Sequence, residues 1–170
     1  MLSNVLNEFI VIFFPMVDYL LRREISGGEA AVYVIAQLLG GMAGVALAHV
    51  MFGRAVLEIS GNDRLTTGTF VAEIIATSGL IAIILLLVQR GSGSLLPLVV
   101  PAWIGAGYVF TSSTSFANPA VTLGRMFTDS FAGISPLSGL GFMAAQLVGI
   151  AVALALVIPV ITASKEKSDG

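Results

Sequence analysis

Residues 114–125 read Thr-Ser-Phe-Ala-Asn-Pro-Ala-Val-Thr-Leu-Gly-Arg, and this tract predicts a helix that begins in the middle of an otherwise apolar sequence. Asn118 is a preferred N-cap residue, and Pro119 suits the first helical position because the N–H that it lacks would have no partner there. A helix from Pro119 to Phe127 would be about 13 Å long, against about 30 Å for the hydrocarbon core of a bilayer. We therefore expect a half-helix that starts near the middle of a membrane.

A half-helix of this kind points unpaired backbone N–H groups and the positive end of its dipole at whatever lies at the same depth. Inside a bilayer, only a cavity lined by protein tolerates such a backbone. The alternative is an ordinary Asn-capped helix at a membrane surface or in a soluble domain. The rest of the chain argues against that alternative.

The composition is that of an integral membrane protein. Of the 170 residues, 56% are hydrophobic and 11% are charged, and the mean hydropathy is +0.98, which is far too apolar for an ordinary soluble domain. A net charge of −2 without a basic cluster gives no support for nucleic-acid binding. The chain lacks cysteine, and its one histidine, His49, stands alone, so no metal or cofactor is expected.

Four apolar segments are long enough to cross a bilayer. They are residues 30–52, 68–88, 95–110 and 138–160. The apolar run before them is too short for a comfortable span, and the polar loop Arg22–Glu29 follows it. We therefore expect an atypical cytoplasmic or interfacial segment at 1–29, a membrane domain at 30–160 and a cytoplasmic tail at 161–170.

An ionisable residue, Glu73, lies about one and a half turns into the second span. A charge at such a position is costly unless it has a partner or faces water. In one interpretation, Glu73 is shallow enough for its carboxylate to reach the membrane surface. In the other, the carboxylate accepts hydrogen bonds from exposed backbone N–H groups of a re-entrant loop.

The basic residues predict an orientation. With four alternating spans, they divide into Arg22, Arg23, Arg90, Lys165 and Lys167 on one side of the membrane and Arg54 and Arg64 on the other. Because cytoplasmic loops are enriched in lysine and arginine, we expect both termini in the cytoplasm.

A short internal repeat joins the first and last spans. Ala36–Gly40 and Ala145–Gly149 share the pattern Ala-Gln-Leu-(Leu/Val)-Gly, and the four alternating spans give the two copies opposite directions across the membrane. Inverted repeats of this kind place sites near the midplane, where discontinuous helices meet.

The Asn118-Pro119-Ala120 tripeptide, Glu73 and the glutamine-containing repeats together resemble the major intrinsic protein family of aquaporins and aquaglyceroporins. The resemblance extends over about residues 16–160. It implies an all-α membrane protein, an aquaporin-like helical bundle with an inverted repeat, usually assembled as a homotetramer in the cell membrane. A whole member has six spanning helices and two half-helices that meet end to end.

This chain is expected to supply about four spanning helices and one re-entrant half-helix. Projected onto the sequence, the first Asn-Pro-Ala tripeptide would fall near Ile12–Phe14, which does not match it. The first two spanning helices and the first half-helix are therefore expected to be missing. The chain is interpreted as a truncated member whose first 15 residues are unrelated or shifted.

The resemblance also implies roles for single residues. Asn118 would donate hydrogen bonds from its amide to a passing water or hydroxyl group, while Pro119 and Ala120 hold the helix start. Glu73 would steady the re-entrant backbone, and the backbone carbonyls of residues 113–117 would line the outer half of the pore.

The selectivity filter departs from the family pattern. Water and glycerol channels usually carry arginine directly after Asn-Pro-Ala, where this chain has Val121, and the other two filter positions of this half resemble Ala106 and Ser115. Small, uncharged side chains imply a wide constriction that admits larger neutral solutes. Arg125 lies about two helical turns from Asn118 and is interpreted as a capping residue at the far end of the half-helix.

The function expected from these features is a passive channel for small neutral solutes, namely water, glycerol-like polyols or metalloid hydroxides. The alternative is a non-conducting membrane fragment or interaction subunit. No nucleophile with a neighbouring base is visible, so an enzyme is not expected.

Overall fold

The computed structural model describes residues 26–166, and this part of the chain folds into helices and loops without a strand. The helices are α1 (Gly27–Met51), α2 (Thr67–Gln89), α3 (Leu96–Phe110), α4 (Pro119–Met126) and α5 (Pro136–Glu166), with a 3-10 turn at Gly93–Leu95. Four segments are long and apolar enough to cross a membrane: Gly27–Met51, Thr67–Gln89, Gly93–Phe110 and Pro136–Ser164. The predicted all-α membrane fold is therefore confirmed. The predictions for residues 1–25 and 167–170 lie outside the described residues.

The first spanning helix begins earlier than predicted. α1 starts at Gly27 rather than Ala30, because Ser26 and Glu29 form a capping box. The Glu29 N–H donates to Ser26 Oγ at 3.2 Å, and the Ser26 N–H donates to Glu29 Oε2 at 2.7 Å. The predicted polar loop at 22–29 therefore gives way to helix after Ser26.

The last helix is longer than predicted at both ends. α5 starts at Pro136 rather than Ser138, and the Ser135 carbonyl and Oγ accept from the N–H groups of Gly139 and Ser138 at 2.8 and 3.4 Å. Such a cap suits a proline at the first helical position. The helix also continues through residue 161, where a tail was expected, to Glu166.

The chain divides into two compact units that do not follow the predicted boundaries at 29 and 160, and those boundaries stay a prediction. The first unit contains Met1–Leu65 and Asn118–Gly141, and the second contains Thr66–Ala117 and Phe142–Gly170.

In the first unit, the short helix α4 packs against α1 through two glycines. A Cβ atom at Gly41 would lie 3.4 Å from the Ala120 carbonyl oxygen, and one at Gly124 would lie 3.4 Å from the Gly41 oxygen. Gly41 is the fifteenth of the 25 residues of α1, which puts the start of α4 about 21 Å along that helix. The half-helix therefore begins beside the middle of a spanning helix.

Hydrogen bonds join the polar connection between α1 and α2 to the end of α4 and to the segment that follows it. The Ser60 N–H donates to the Met126 carbonyl at 2.9 Å, and Arg64 Nε donates to the Gly133 carbonyl at 2.7 Å. Ser135 Oγ donates to Asp63 Oδ1 at 2.6 Å. These bonds fix the end of the half-helix opposite to Asn118.

In the second unit, α2 and α3 pack through the tryptophan of the chain. Trp103 Nε1 donates to the Ala76 carbonyl at 3.0 Å, and the indole lies directly over Gly79. A Cβ atom at Gly79 would fall on the indole ring, so the sequence needs glycine at this position.

We expect Gly79→Ala to destabilise the second unit by about 1–3 kcal/mol, because the added methyl group overpacks the contact with Trp103. Unfolding of the detergent-solubilised chain is followed by the fluorescence of Trp103. In the folded state, the emission of Gly79→Ala should be shifted to the red relative to the parent chain. Gly105→Ala is the matched control, since a Cβ atom there has nothing within 4 Å. Equal stability of the two variants would contradict the packing argument.

Candidate functional site

The start of α4 is capped by Asn118, whose backbone is extended (φ −159°, ψ 121°). Its Oδ1 accepts the N–H groups of Ala120 at 2.8 Å and Val121 at 3.4 Å. The amide oxygen of Asn118 is therefore used by the first turn of the helix, and the Nδ2 group is not part of the cap. Within residues 26–166, Nδ2 makes no hydrogen bond, so both of its protons are available to a solute.

The loop before Asn118 has an unusual backbone. Three non-glycine residues lie in the left-handed region, with φ values of 63° at Thr114, 49° at Ser115 and 45° at Ala117. Such a conformation costs on the order of 1–3 kcal/mol for each residue and persists only where the surroundings impose it. The loop therefore needs strong anchors.

Glu73 of α2 is the strongest of these anchors. Its carboxylate is fully buried, and it accepts the Phe116 N–H at 2.8 Å and the Ala117 N–H at 2.9 Å. Gln146 Nε2 of α5 donates to the same carboxylate at 2.7 Å. Three donors compensate the burial of the carboxylate, and they connect two spanning helices to the loop.

The two copies of the repeat have different surroundings. Gln146 binds Glu73, and a Cβ atom at Gly149 would lie 2.8 Å from Thr77 Cβ, so this copy packs closely on α2. In the other copy, Gln37 makes no side-chain hydrogen bond to any described residue, and a Cβ atom at Gly40 would have nothing within 4 Å. The face of α1 with Gln37 and Gly40 is therefore open in the described part of the chain.

The three residues predicted to form the filter differ in exposure. Ala106 of α3 is exposed, and Val121 of α4 is 38% exposed. Ser115 is 2% exposed and packs against Gly107, the residue after Ala106. Ala106 and Ser115 belong to the second unit and Val121 to the first.

His49 is a packed histidine at the end of α1. It is 4% exposed, its Nδ1 lies 2.6 Å from the Ala55 carbonyl oxygen, and its Nε2 lies 2.8 Å from Thr128 Oγ1. It therefore connects the end of α1 to the segment just after α4.

Backbone N–H groups of the connection between α1 and α2 cap the far end of α4, whose last turn contains Arg125. The Glu58 N–H donates to the carbonyl of Phe127, the C-cap residue, at 3.3 Å. Arg54 forms an ion pair with Glu58, and its hydrogen bond holds the pKa of that carboxylate below the usual value. Because the pKa is lowered, the small stabilisation from this pair is present near neutral pH and lost as the pH falls through the folded-state value.

The sequence did not lead us to predict roles for the side chains of Gln146, Thr111 and Ser113 in this site. Gln146 had a signal, because its pattern is repeated at Gln37. The hydroxyl-rich run Thr111–Ser115 was a second signal, since buried hydroxyl groups in a lipid-embedded loop need partners.

The chain matches one protein family along most of its length. The sequence model described as "Major intrinsic protein" matches residues 16–117. Aquaglyceroporin AqpS from Rhizobium meliloti (strain 1021) is 43% identical over 150 residues, which cover 88% of this chain and 62% of that protein. The chain thus spans less than two thirds of the length of this relative. No solved structure matches it.

The family match begins at residue 16, where the resemblance was predicted to begin, and covers more than half of the chain. With four helices apolar enough to cross a membrane, the chain is part of a multi-pass membrane protein. These features identify a family of channels rather than of enzymes. The chain belongs to the major intrinsic protein family.

Proposed function

We propose that the chain belongs to a passive channel for small neutral solutes. The observation that carries the proposal is the free Nδ2 group of Asn118 at the start of a half-helix that begins beside the middle of α1. A solute hydroxyl or water at this height would accept hydrogen bonds from Asn118. The positive end of the α4 dipole would repel cations and protons at the same place.

In this proposal Pro119 and Ala120 hold the helix start, and Glu73 anchors the preceding loop at the N–H groups of Phe116 and Ala117. The backbone carbonyls of residues 113–117 would line the outer half of the pore. Solutes would pass by exchanging hydration for these fixed donors and acceptors, with no chemical step and no cofactor.

The filter residues favour solutes larger than water. Ala106, Ser115 and Val121 carry no charge and little bulk, and Ala106 and Val121 are exposed. Small, uncharged side chains at filter positions would admit polyols or metalloid hydroxides. The relative AqpS is named an aquaglyceroporin, which supports the same substrate class.

The complete channel is proposed to be a homotetramer with one pore in each subunit. The C-terminus is proposed to be cytoplasmic, because the basic residues outside the spans are concentrated on that side. Cysteine scanning at Ser164 and Ser130, with a membrane-impermeant thiol reagent on intact cells, tests this orientation.

A second candidate is a non-conducting membrane fragment or interaction subunit. The open face at Gln37 and Gly40 favours it, because no helix within residues 26–166 covers that face. The two candidates are distinguished by solute flux. The test joins the chain to the part of AqpS that precedes its match to this chain. Water and glycerol flux are then measured in proteoliposomes by stopped-flow light scattering, where flux above that of empty liposomes supports the channel.

We expect Val121→Arg in this hybrid to reduce glycerol flux at least about threefold more than water flux. Arginine adds bulk and a fixed charge at an exposed position near the start of α4, and a narrower constriction excludes the larger solute first. Val121→Leu is the matched control, since it adds bulk without charge. Equal loss of both fluxes, or no change, would count against a filter position for Val121.

A further inference from the structure

The loop between α3 and α4 contains buried hydroxyl groups at alternate positions, Thr111, Ser113 and Ser115. Thr111 Oγ1 donates to the Gly107 carbonyl at 2.6 Å, and Ser113 Oγ donates to Thr111 Oγ1 at 3.4 Å. The Ser115 N–H donates to Ser113 Oγ at 3.2 Å. These bonds connect the end of α3 to the backbone of Ser115.

Glu73 does not provide this connection. Its two carboxylate oxygens accept the N–H groups of Phe116 and Ala117, which follow Ser115 in the loop. Within the described residues, the acceptor for the Ser115 N–H is Ser113 Oγ. The left-handed backbone at Ser115 (φ 49°) therefore rests on Ser113 rather than on the carboxylate.

Close packing limits the direction in which Ser115 can move. A Cβ atom at Gly107 would lie 2.6 Å from both Cβ and Oγ of Ser115, so the serine already touches the backbone of α3. If the Ser113 acceptor is lost, the Ser115 N–H has to find another partner by moving away from α3.

From this geometry we infer that Ser113 is a positioning residue that sets the solute selectivity of the channel by fixing Ser115. The inference rests on the proposed function, in which Ser115 occupies a filter position. Ser113 is 1% exposed and touches no solute in this role. It acts by holding the Ser115 N–H and, through Thr111, by linking that bond to the end of α3.

The first test uses the full 170-residue chain and does not depend on transport. The chain has no cysteine, so Ser115→Cys introduces a single thiol at a buried position, and its rate of alkylation by iodoacetamide measures access to the loop. We expect the addition of Ser113→Ala to raise this rate about tenfold, because one hydrogen bond of the loop is lost. Ser113→Thr keeps the acceptor and should restore the slow rate.

Ser112→Ala is the matched control, because Ser112 is the exposed neighbour of Ser113 and should leave the rate unchanged. The inference is overturned if Ser113→Ala reacts at the parent rate, if Ser113→Thr reacts as fast as Ser113→Ala, or if Ser112→Ala accelerates the reaction equally.

The second test measures the ratio of glycerol to water permeability in the hybrid with the N-terminal part of AqpS that precedes its match to this chain. Displacement of Ser115 alters the filter, so Ser113→Ala should change this ratio at least about threefold while Ser113→Thr restores it. An unchanged ratio in a conducting hybrid would overturn the selectivity role. A hybrid without flux would instead overturn the proposed function, and the alkylation rates would still decide whether Ser113 positions the loop.

Discussion

Glu73→Gln is expected to abolish solute flux in the hybrid and to lower the stability of the chain by about 3 kcal/mol or more. Glutamine offers one acceptor oxygen where the carboxylate offers two, and its NH₂ group would face N–H donors from the loop or from Gln146. The thermal midpoint of the detergent-solubilised chain should fall by about 10 °C. Circular dichroism of the chain and stopped-flow flux of the hybrid measure the two effects.

The matched control for this substitution is Glu58→Gln, which makes the same chemical change in the polar connection between α1 and α2. Its ion pair with Arg54 lies outside the membrane-spanning helices, so little change in stability or flux is expected. Gln146→Ala removes one of the three donors to Glu73 and should have an intermediate effect. If Glu73→Gln retained the stability and flux of the parent, the carboxylate could not be the main anchor of the loop.

Asn118 and Glu73 could be identified from the sequence because each breaks a rule of its surroundings. A capping asparagine followed by proline signals a helix start where lipid-spanning helices do not start. A carboxylate within an apolar span signals a buried partner, because the charge is costly without one. The spans themselves followed from apolar length, which is the strongest signal in a membrane protein.

The backbone of the loop before Asn118 could not be predicted in the same way. Thr114, Ser115 and Ala117 have left-handed conformations although none of them is glycine. No local preference of these residue types predicts such a backbone. They exist because Glu73, Ser113 and the end of α3 impose them. These contacts depend on the packing of helices that are distant in sequence.

The ends of the helices show a related limit. The capping-box pattern at Ser26 and Glu29 is present in the sequence, but the two glycines between these residues favoured the prediction of a loop. The cap outweighs the glycines because it satisfies two backbone groups at once, whereas each glycine costs at most about 1 kcal/mol. When one local feature favours a helix and another disfavours it, the larger free energy decides the outcome. The residue pattern alone does not show which free energy is larger.

The unequal surroundings of the two repeats decide whether the chain can conduct on its own. Gln146 and Gly149 pack on α2, whereas Gln37 and Gly40 meet no equivalent helix among the described residues. We expect the 170-residue chain alone to insert into liposomes but to show no solute flux above that of empty liposomes. Fusion to the N-terminal part of AqpS that precedes its match to this chain should restore flux with a low activation energy, measured by stopped-flow at several temperatures.

The reason for this expectation is the start of α4. Residues 26–166 contain a single half-helix, α4. Where no second half-helix opposes it, its backbone N–H groups would face lipid or a loosely packed gap, at a cost of several kcal/mol for each unpaired group. Channel-like flux from the chain alone would overturn this view and would require another copy to supply the second half. In the conducting hybrid, Asn118→Asp isolates the donor, because aspartate caps the helix as well as asparagine does. It keeps the acceptor for Ala120 but replaces the Nδ2 donor by a carboxylate oxygen, so flux should fall at least about tenfold while helix content stays unchanged.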